Sequence, residues 1–324
     1  MNYFIRKRAR LAAALVLIGL GASAALAQIG GLGGLGDKLK NKNPLGKLLE
    51  GKPPITTSLE DAKWGDPTKD AFTPREAGRS LMTLQRTPNG GFVLQPGYYS
   101  MQTQSYCLKA GTHGPGGGDG YLYAPPKGPA EDAVMTIVRN SVNRPEIPQQ
   151  QIQALLWAII ARAKFEDLQG ELKATASQLL TPRQLASLNR NALDVVSGPA
   201  LERALGSAPS GLRSVLQAEA QLRQMLTSPG TSFAELERVA VLSGAAPLGE
   251  GSRQVPSGRW SLHPDGYYVR YLPSGYSSTR LEIWVPQGSP SVGKEFDPAA
   301  HIAVPGNTAR QRLIQSGRGQ SGGN

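Results

Sequence analysis

Few residues of this chain have types that could do chemistry, and the most distinctive of them is a single cysteine. Cys107 is the only cysteine among 324 residues, and it follows an aromatic residue in the segment Tyr106-Cys107-Leu108. A chain with one thiol cannot form an internal disulfide. Cys107 is therefore a buried apolar group, a thiol that pairs with another molecule, or a reactive nucleophile.

The second distinctive feature is a glutamine in the most apolar helical stretch. Residues 152–161 read IQALLWAIIA, and Gln153 is the only polar side chain among them. A helix that is apolar on all sides and too short to span a membrane belongs in a protein core. Burying an amide without a partner costs on the order of 1 to 3 kcal/mol, so some group should satisfy Gln153. That group is either a main-chain atom near the helix start or the lone Cys107.

Together these two segments resemble the thioester domains of bacterial surface adhesins. That family carries a cysteine after an aromatic residue, which Cys107 after Tyr106 matches. It also carries a glutamine in a Thr-Gln-x-x-aliphatic-Trp helix, to which the segment from Ile152 to Trp157 is similar. The resemblance is limited to these two short blocks. It implies an internal thioester between Cys107 and Gln153, formed with loss of ammonia, and a surface protein or an envelope polymer as partner.

A thioester is a stored acyl electrophile: an amine attacks it, expels the Cys107 thiolate and leaves an amide link. Water competes with the amine, so a dry setting is required, which Leu156, Trp157 and Tyr106 could supply. His113 is the candidate proton acceptor for the amine, because an unperturbed histidine has a pKa of about 6.5 and is mostly neutral at pH 7. A histidine in a glycine-rich loop is also commonly just solvated.

A cysteine hydrolase is the alternative reading, with Cys107 as nucleophile and His113, His263 or His301 as base. Such sites need a cysteine of lowered pKa and an orienting group beside the histidine. The three histidines and the cysteine show no metal-ligand spacing, and the sequence predicts neither a metal nor a cofactor.

A third hypothesis is an exported binding or scaffolding protein without classical enzyme activity. In it Cys107 is a small buried hydrophobe and Gln153 a satisfied core amide. Tyrosines on strands could line a surface for carbohydrate or protein, although such residues more often pack in a core. These tyrosines are Tyr98, Tyr99, Tyr121, Tyr123, Tyr267, Tyr268 and Tyr271.

The first 27 residues read as a bacterial export signal. Four basic residues precede the apolar stretch 11–22, and Ala25-Leu26-Ala27 is a small-x-small cleavage site. Cleavage predicts a secreted or periplasmic protein without stable membrane insertion, since no later segment is long and apolar enough. Because the signal contains no acid, its removal lowers the formal net charge from +11 by four, to +7. No basic run with interleaved aromatics follows, so nucleic acid is not an expected partner.

The elements that must position Cys107 and Gln153 predict an α+β fold in a single domain. Cys107 is expected near the end of a strand, with a glycine-rich loop after it, and Gln153 in a helix that begins after Pro148. A signal peptide (1–27) and a Gly/Leu/Lys-rich flexible linker (28–54) are expected before this domain, and a disordered tail (311–324) after it. The domain itself (55–310) is expected to consist of strands with the glycine-rich loop (55–128), a helical bundle (129–245) and a three-stranded antiparallel meander (255–310).

Overall fold

The part of the chain that the computed structural model describes comprises residues 53–62, 68, 72–195, 198–208 and 210–320. The predicted signal peptide and the predicted linker up to residue 52 lie outside the described residues, as do residues 321–324. Pro54, the last residue of that linker, is buried, and its carbonyl accepts a hydrogen bond from the Ala130 N–H (3.0 Å). The folded part therefore includes at least one residue of the segment expected to be flexible.

The strands lie before and after the helices along the described chain. They are β1 Arg79–Ser80, β2 Phe92–Val93, β3 Gly97–Cys107, β4 Thr112–His113, β5 Tyr121–Ala124, β6 Val241–Leu242, β7 Ser261–Leu262, β8 Tyr268–Pro273, β9 Ser278–Val285, β10 Glu295–Phe296, β11 Ile302–Pro305 and β12 Leu313–Gly319. Eight of these strands form one mostly antiparallel sheet in the order β5-β11-β12-β3-β9-β8-β7, with β1 parallel to β3. The Tyr123 N–H donates to Ser261 Oγ (3.1 Å) and links β5 to β7, so the sheet nearly closes into a barrel.

The chain between β5 and β6 forms the helices α1 Glu131–Ser141, α2 Gln149–Ile160, α3 Gly170–Leu179, α4 Pro182–Arg190, α5 Pro199–Ser207, α6 Ser210–Leu226 and α7 Phe233–Ala240. Helices and a largely antiparallel sheet together confirm the α+β class. In the described part of the chain, no helix combines the length and apolar character needed to cross a membrane. Helix α2 lies at the centre, where it packs on β3 and contacts α1, α3, α6 and α7. All its residues from Ile152 to Ile160 are buried, as the composition predicts.

The sequence from Gln149 to about Leu168 predicts one helix, but α2 ends at Ile160. Arg162 adopts a left-handed backbone conformation (φ 54°) and turns the chain away from the helix axis. The Ala163 N–H then donates to the Ala158 carbonyl (2.9 Å), which is the hydrogen bond of a Schellman C-cap. The apolar residues that follow pack on the core from outside the helix.

The C-terminal part of the chain has two features that the sequence does not indicate. The meander of β7, β8 and β9 belongs to the same sheet as the N-terminal strands, because β3 pairs with β9 along its first eight residues. Residues 313–319, in the segment expected to be disordered, form β12 between β11 and β3. Leu313, Ile314 and Gln315 are fully buried there, so tertiary packing orders a segment whose Gly, Ser and Arg content indicates disorder.

The glycine-rich segment after Cys107 is ordered by its polar residues. Arg310 lies 3.0 Å from the Asp119 carboxylate and also donates to the Gly114 carbonyl (2.7 Å). Gly120 faces the main chain of Val255, where a Cβ would lie 2.2 Å from the carbonyl oxygen, so no larger residue fits. The expected loop is thus tied to the segment before β12 and contains β4.

Candidate functional site

Cys107 is the last residue of β3 and is completely buried. Burial raises the pKa of its thiol well above the usual value, and the nearby Glu237 carboxylate raises it further. The sulfur is therefore a neutral thiol at physiological pH, and some other group must take its proton before it can act as a nucleophile.

The side chain of Gln153 lies directly against Cys107. Its Oε1 accepts a hydrogen bond from the Cys107 N–H (2.7 Å), and its Nε2 donates to the Cys107 carbonyl oxygen (3.2 Å). The glutamine is only 1% exposed. The partner that a buried amide requires is thus the cysteine residue, through its main chain.

The pairing has a simple origin in the lengths of the strands. Strand β9 pairs with β3 only as far as Gln104, and the Ser105 N–H then donates to the Ser277 carbonyl (3.0 Å). The main-chain groups of Cys107 point to the same side of the strand as those of Ser105, beyond the end of β9. Gln149, one turn before Gln153 on α2, donates to the carbonyls of Ser105 (3.1 Å) and Ser277 (2.6 Å). The side chains of Gln149 and Gln153, one helical turn apart, therefore make hydrogen bonds to β3 at the positions that lie beyond the end of β9.

Three aromatic side chains form a wall one helical turn after Gln153. Trp157, one turn after Gln153, stacks on Phe233 with ring centroids 5.4 Å apart, and the ring of Tyr276 lies 6.4 Å from Trp157. Trp157 is fully buried. Trp157 is on the same helix as Gln153, whereas Tyr106 faces the opposite side of the sheet from Cys107, because neighbouring strand residues alternate.

One carboxylate, that of Glu237, interacts electrostatically with the Cys107 thiol. Glu237, on α7, is the acid whose charge raises the pKa of Cys107, and its Oε1 accepts a hydrogen bond from the Tyr276 hydroxyl. Tyr276 stands in the turn between β8 and β9, the turn that also supplies the Ser277 carbonyl. The sequence does not indicate Glu237 or Tyr276 as site residues, because no local pattern around either residue marks this role.

His113 makes no hydrogen bond with Cys107, both of which the structure describes. His113 lies in β4, where its N–H donates to the Ala309 carbonyl (3.0 Å) and its own carbonyl accepts from Gln311 (2.8 Å). Among the described residues, no recorded hydrogen bond or ring contact joins Cys107 to any histidine. A hydrolase with a Cys107–His pair therefore receives no support from this geometry, and the raised pKa of the thiol also argues against it.

The other two histidines, far apart in the sequence, meet in the interior near the closure of the sheet. The Asp265 N–H donates to His263 Nδ1 (3.1 Å), which leaves the proton on Nε2 for the Tyr123 hydroxyl oxygen (3.1 Å). The His263 ring also stacks on Tyr267 at 4.4 Å between centroids. Desolvation lowers the pKa of His263 to about 4, with a smaller contribution from Lys294.

His301 completes this pair of neutral rings. Its Nδ1 lies 2.7 Å from the Asp297 carbonyl oxygen and carries the proton, so Nε2 accepts from the Tyr267 hydroxyl (2.6 Å). Burial lowers the pKa of His301 to about 3, and the neighbouring His263, whose ring is 5.0 Å away, lowers it further. Both histidines are neutral in the folded protein; His301 is buried and His263 is half-buried.

These two histidines predict a loss of stability in acid. Their pKa values in the folded protein lie below the unfolded value of about 6.5, so the unfolded chain binds more protons between pH 6.5 and the folded values. Stability is therefore complete above pH 6.5 and falls as the pH decreases. For His301 alone we expect a loss of about 2 kcal/mol at pH 5.

Urea unfolding at pH 7.5 and pH 5 measures this effect in the wild type, in His301→Gln and in the double variant with His263→Gln. The difference between the two pH values should shrink in the single variant and shrink again in the double variant. An unchanged difference in all three proteins would assign the acid sensitivity to other groups.

Six of the seven tyrosines considered as a binding surface are buried, and only Tyr268 is partly exposed, so they pack in the core. Within the described ranges, no group of three His, Cys, Asp or Glu side chains is arranged to hold a metal ion.

Comparison of the chain with protein-family models, curated proteins and solved structures finds no match. Inference about function therefore depends on the geometry around Cys107 and Gln153.

Proposed function

We propose that the chain is an exported bacterial surface-attachment protein, whose binding domain can form an internal thioester between Cys107 and Gln153. The observation that carries this proposal is the contact of the Gln153 amide with Cys107 in a buried setting. The resemblance of the two sequence blocks to adhesin thioester domains supports it. The apolar N-terminal segment 11–22, preceded by basic residues, supports export.

The bond-forming step is balanced without any oxidant or cofactor. The Cys107 sulfur adds to the Gln153 carbonyl carbon, the bond from that carbon to Nε2 breaks, and ammonia leaves with the thiol proton. The Cys107 N–H already donates to Oε1 (2.7 Å), so it can stabilise the negative charge that develops on this oxygen. The Cys107 carbonyl loses its Nε2 donor in the product.

Glu237 is the group that we assign to proton transfer in place of His113. Its carboxylate is coupled to the Cys107 thiol and is oriented by the Tyr276 hydroxyl. It takes the thiol proton as sulfur attacks and returns it to the leaving nitrogen. The aromatic wall of Trp157, Phe233 and Tyr276 limits the access of water, which would otherwise hydrolyse the thioester.

The product is an electrophile for amines. A lysine of a surface protein, or an amine of an envelope polymer, attacks the Gln153 carbonyl carbon and expels the Cys107 thiolate. An amide bond then joins the partner to Gln153, and Cys107 returns to the thiol by taking up a proton. One molecule makes one link, so the protein is an attachment device without turnover.

The intact mass of the purified protein tests the proposal. We expect a deficit of one ammonia in the wild type and none in Cys107→Ala or Gln153→Ala, because each variant lacks one partner of the bond. Methylamine should react with the thioester and raise the mass to that of the full chain plus one methylene group. The Cys107→Ala control has no thioester, so its mass should not change. A wild-type protein of full mass, with a thiol that reacts after unfolding and no methylamine adduct, would exclude the thioester and leave a non-covalent binding protein.

A further inference from the structure

A second polar site lies around Glu219, away from the Cys107–Gln153 pair. Four cationic side chains interact electrostatically in the region around Glu219: Lys109, Arg162, Arg223 and Arg312. Glu219 is coupled electrostatically to the first three of them, and Arg312 to Lys109. All five residues are buried or half-buried.

The fold explains why these residues meet. Glu219 and Arg223 lie one turn apart on α6, and Arg162 follows the end of α2. The segment after β3 lies directly on α6, since a Cβ on Gly111 would be 2.4 Å from the Ser214 carbonyl oxygen. Lys109, two residues earlier, is thereby held beside the same helix.

Arg223 is the most buried of the cations, with 1% of its surface exposed. Its Nε donates to the Ala161 carbonyl (2.8 Å) at the end of α2, and its Nη1 to the Asp194 carbonyl (3.4 Å). Its Nη2 is buried and has no hydrogen-bond partner among the described residues. A buried donor of a charged group without an acceptor is costly, on the order of 1 to 3 kcal/mol or more.

Lys109 is in a similar position. Within the described part of the chain, no recorded hydrogen bond or ion pair joins its ammonium to an acid, and Glu219 acts on it only at longer range. Burial lowers the pKa of Lys109 to about 7, and the charge of Arg312 lowers it further. Burial likewise raises the pKa of Glu219 to about 7, so this carboxyl group is only partly ionised at neutral pH.

The carboxylates beside this region are shared with other cations. Asp194 acts on the charge of Arg223 and is also paired with Lys164 (2.9 Å), and Asp61 acts on Arg312 and is also paired with Lys127. Because burial also keeps Glu219 partly protonated, the half-buried cations of this region are stabilised by a negative group that joins them.

Arg162 connects the charged cluster to a cleft. The cleft has a volume of about 260 Å³ and is lined mainly by apolar side chains, among them Ile159, Phe165 and Leu188. Arg162 is the only non-glycine residue in the described ranges with a positive φ (54°), at a helix C-cap position that glycine usually takes. A side chain held at such a position, on the rim of a cleft, is where a ligand contact is expected.

We propose that Lys109, Arg162 and Arg223 form a binding site for a small oxyanion of the phosphate class. The anion accepts hydrogen bonds from Nη2 of Arg223, which has no partner among the described residues, and from the ammonium of Lys109. The same chemistry is offered by inorganic phosphate and by a phosphate ester, whose apolar part would occupy the cleft. This site does not depend on the thioester.

Thermal unfolding of the full chain tests the site, at pH 7.5 with sodium phosphate compared with sodium chloride of equal ionic strength. We expect phosphate to raise the unfolding midpoint saturably, by about 3 °C. Arg162→Gly and Lys109→Met should each lose most of this shift. The first variant keeps the backbone conformation because glycine favours it, and the second keeps the length of the side chain. Arg144→Gln, which removes an exposed arginine paired with Glu146, is the matched control and should retain the shift.

Phenyl phosphate distinguishes the two sources of the anion. A larger shift with phenyl phosphate than with inorganic phosphate would assign the site to an ester, and equal shifts would assign it to the free anion. Equal midpoints in phosphate and chloride would overturn the proposal. A phosphate shift that survives in both Arg162→Gly and Lys109→Met would also overturn it.

Discussion

Replacing Gln153 with leucine in a Cys107→Ala background is expected to lower the free energy of unfolding by about 2 to 5 kcal/mol. The substitution removes the acceptor of the residue 107 N–H (2.7 Å) and the donor to its carbonyl (3.2 Å). Both main-chain groups stay buried, because α2 covers the end of β3 and leaves no path for water. Each unpaired group costs about 1 to 3 kcal/mol.

The background variant separates two effects. Without the sulfur no thioester can form, so the loss measured by urea unfolding reports the hydrogen bonds alone. Gln150→Ala is the control, since Gln150 is on the same helix and exposed, and we expect a change within about 0.5 kcal/mol. A loss for Gln153→Leu as small as that of the control would show that the amide does not complete the ladder.

Removal of the Glu282 side chain is the second large effect that we expect. Glu282, on β9, is 2% exposed at its side chain and lies between Arg270 and Arg280, with Arg280 Nε at 2.8 Å. Arg270 is itself 17% exposed and stacks over the ring of the buried Trp260, 4.5 Å from the centroid. Glu282→Ala leaves the Arg270 guanidinium partly buried without its carboxylate, at a cost of about 3 to 5 kcal/mol.

An exposed ion pair provides the comparison for Glu282. Arg144 and Glu146 are 3.5 Å apart, with 47% and 59% of their side-chain surfaces exposed. Glu146→Ala should change the free energy of unfolding by less than about 1 kcal/mol. If Glu282→Ala and Glu146→Ala lower the free energy of unfolding by the same small amount, the buried ion pair contributes little. Arg270 is then held by its stacking on Trp260.

How far the sequence predicts this fold depends on whether the signal is local. Helices α4 and α7 begin at capping boxes, Thr181 with Gln184 and Ser232 with Glu235, which a short pattern can reveal. The burial of α2 follows from its composition in the same way. Strand β12 has no such signal, because its order comes from β11 and β3 on either side.

The candidate site shows the same limit. That Gln153 needs a partner follows from its apolar neighbours. The sequence leaves this partner open between Cys107 and a main-chain atom near the helix start, and only the resemblance to a family favours Cys107. The proton transfer proposed for Glu237, and its orientation by Tyr276, depend on how α7 and the turn before β9 pack against β3. The meeting of His263 with His301 likewise requires the closure of the sheet. Contacts between distant segments are set by the whole fold, and neither charge nor periodicity in the sequence records them.

The overhang of β3 beyond β9 has a consequence for how this protein behaves when it is partly unfolded. Helix α2 covers main-chain groups that would otherwise be an open strand edge, and Gln149 and Gln153 occupy their hydrogen-bonding positions. Detachment of α2 uncovers that edge next to a long apolar segment. Such an edge is a template for pairing between chains, so the two glutamines also protect the protein from aggregation.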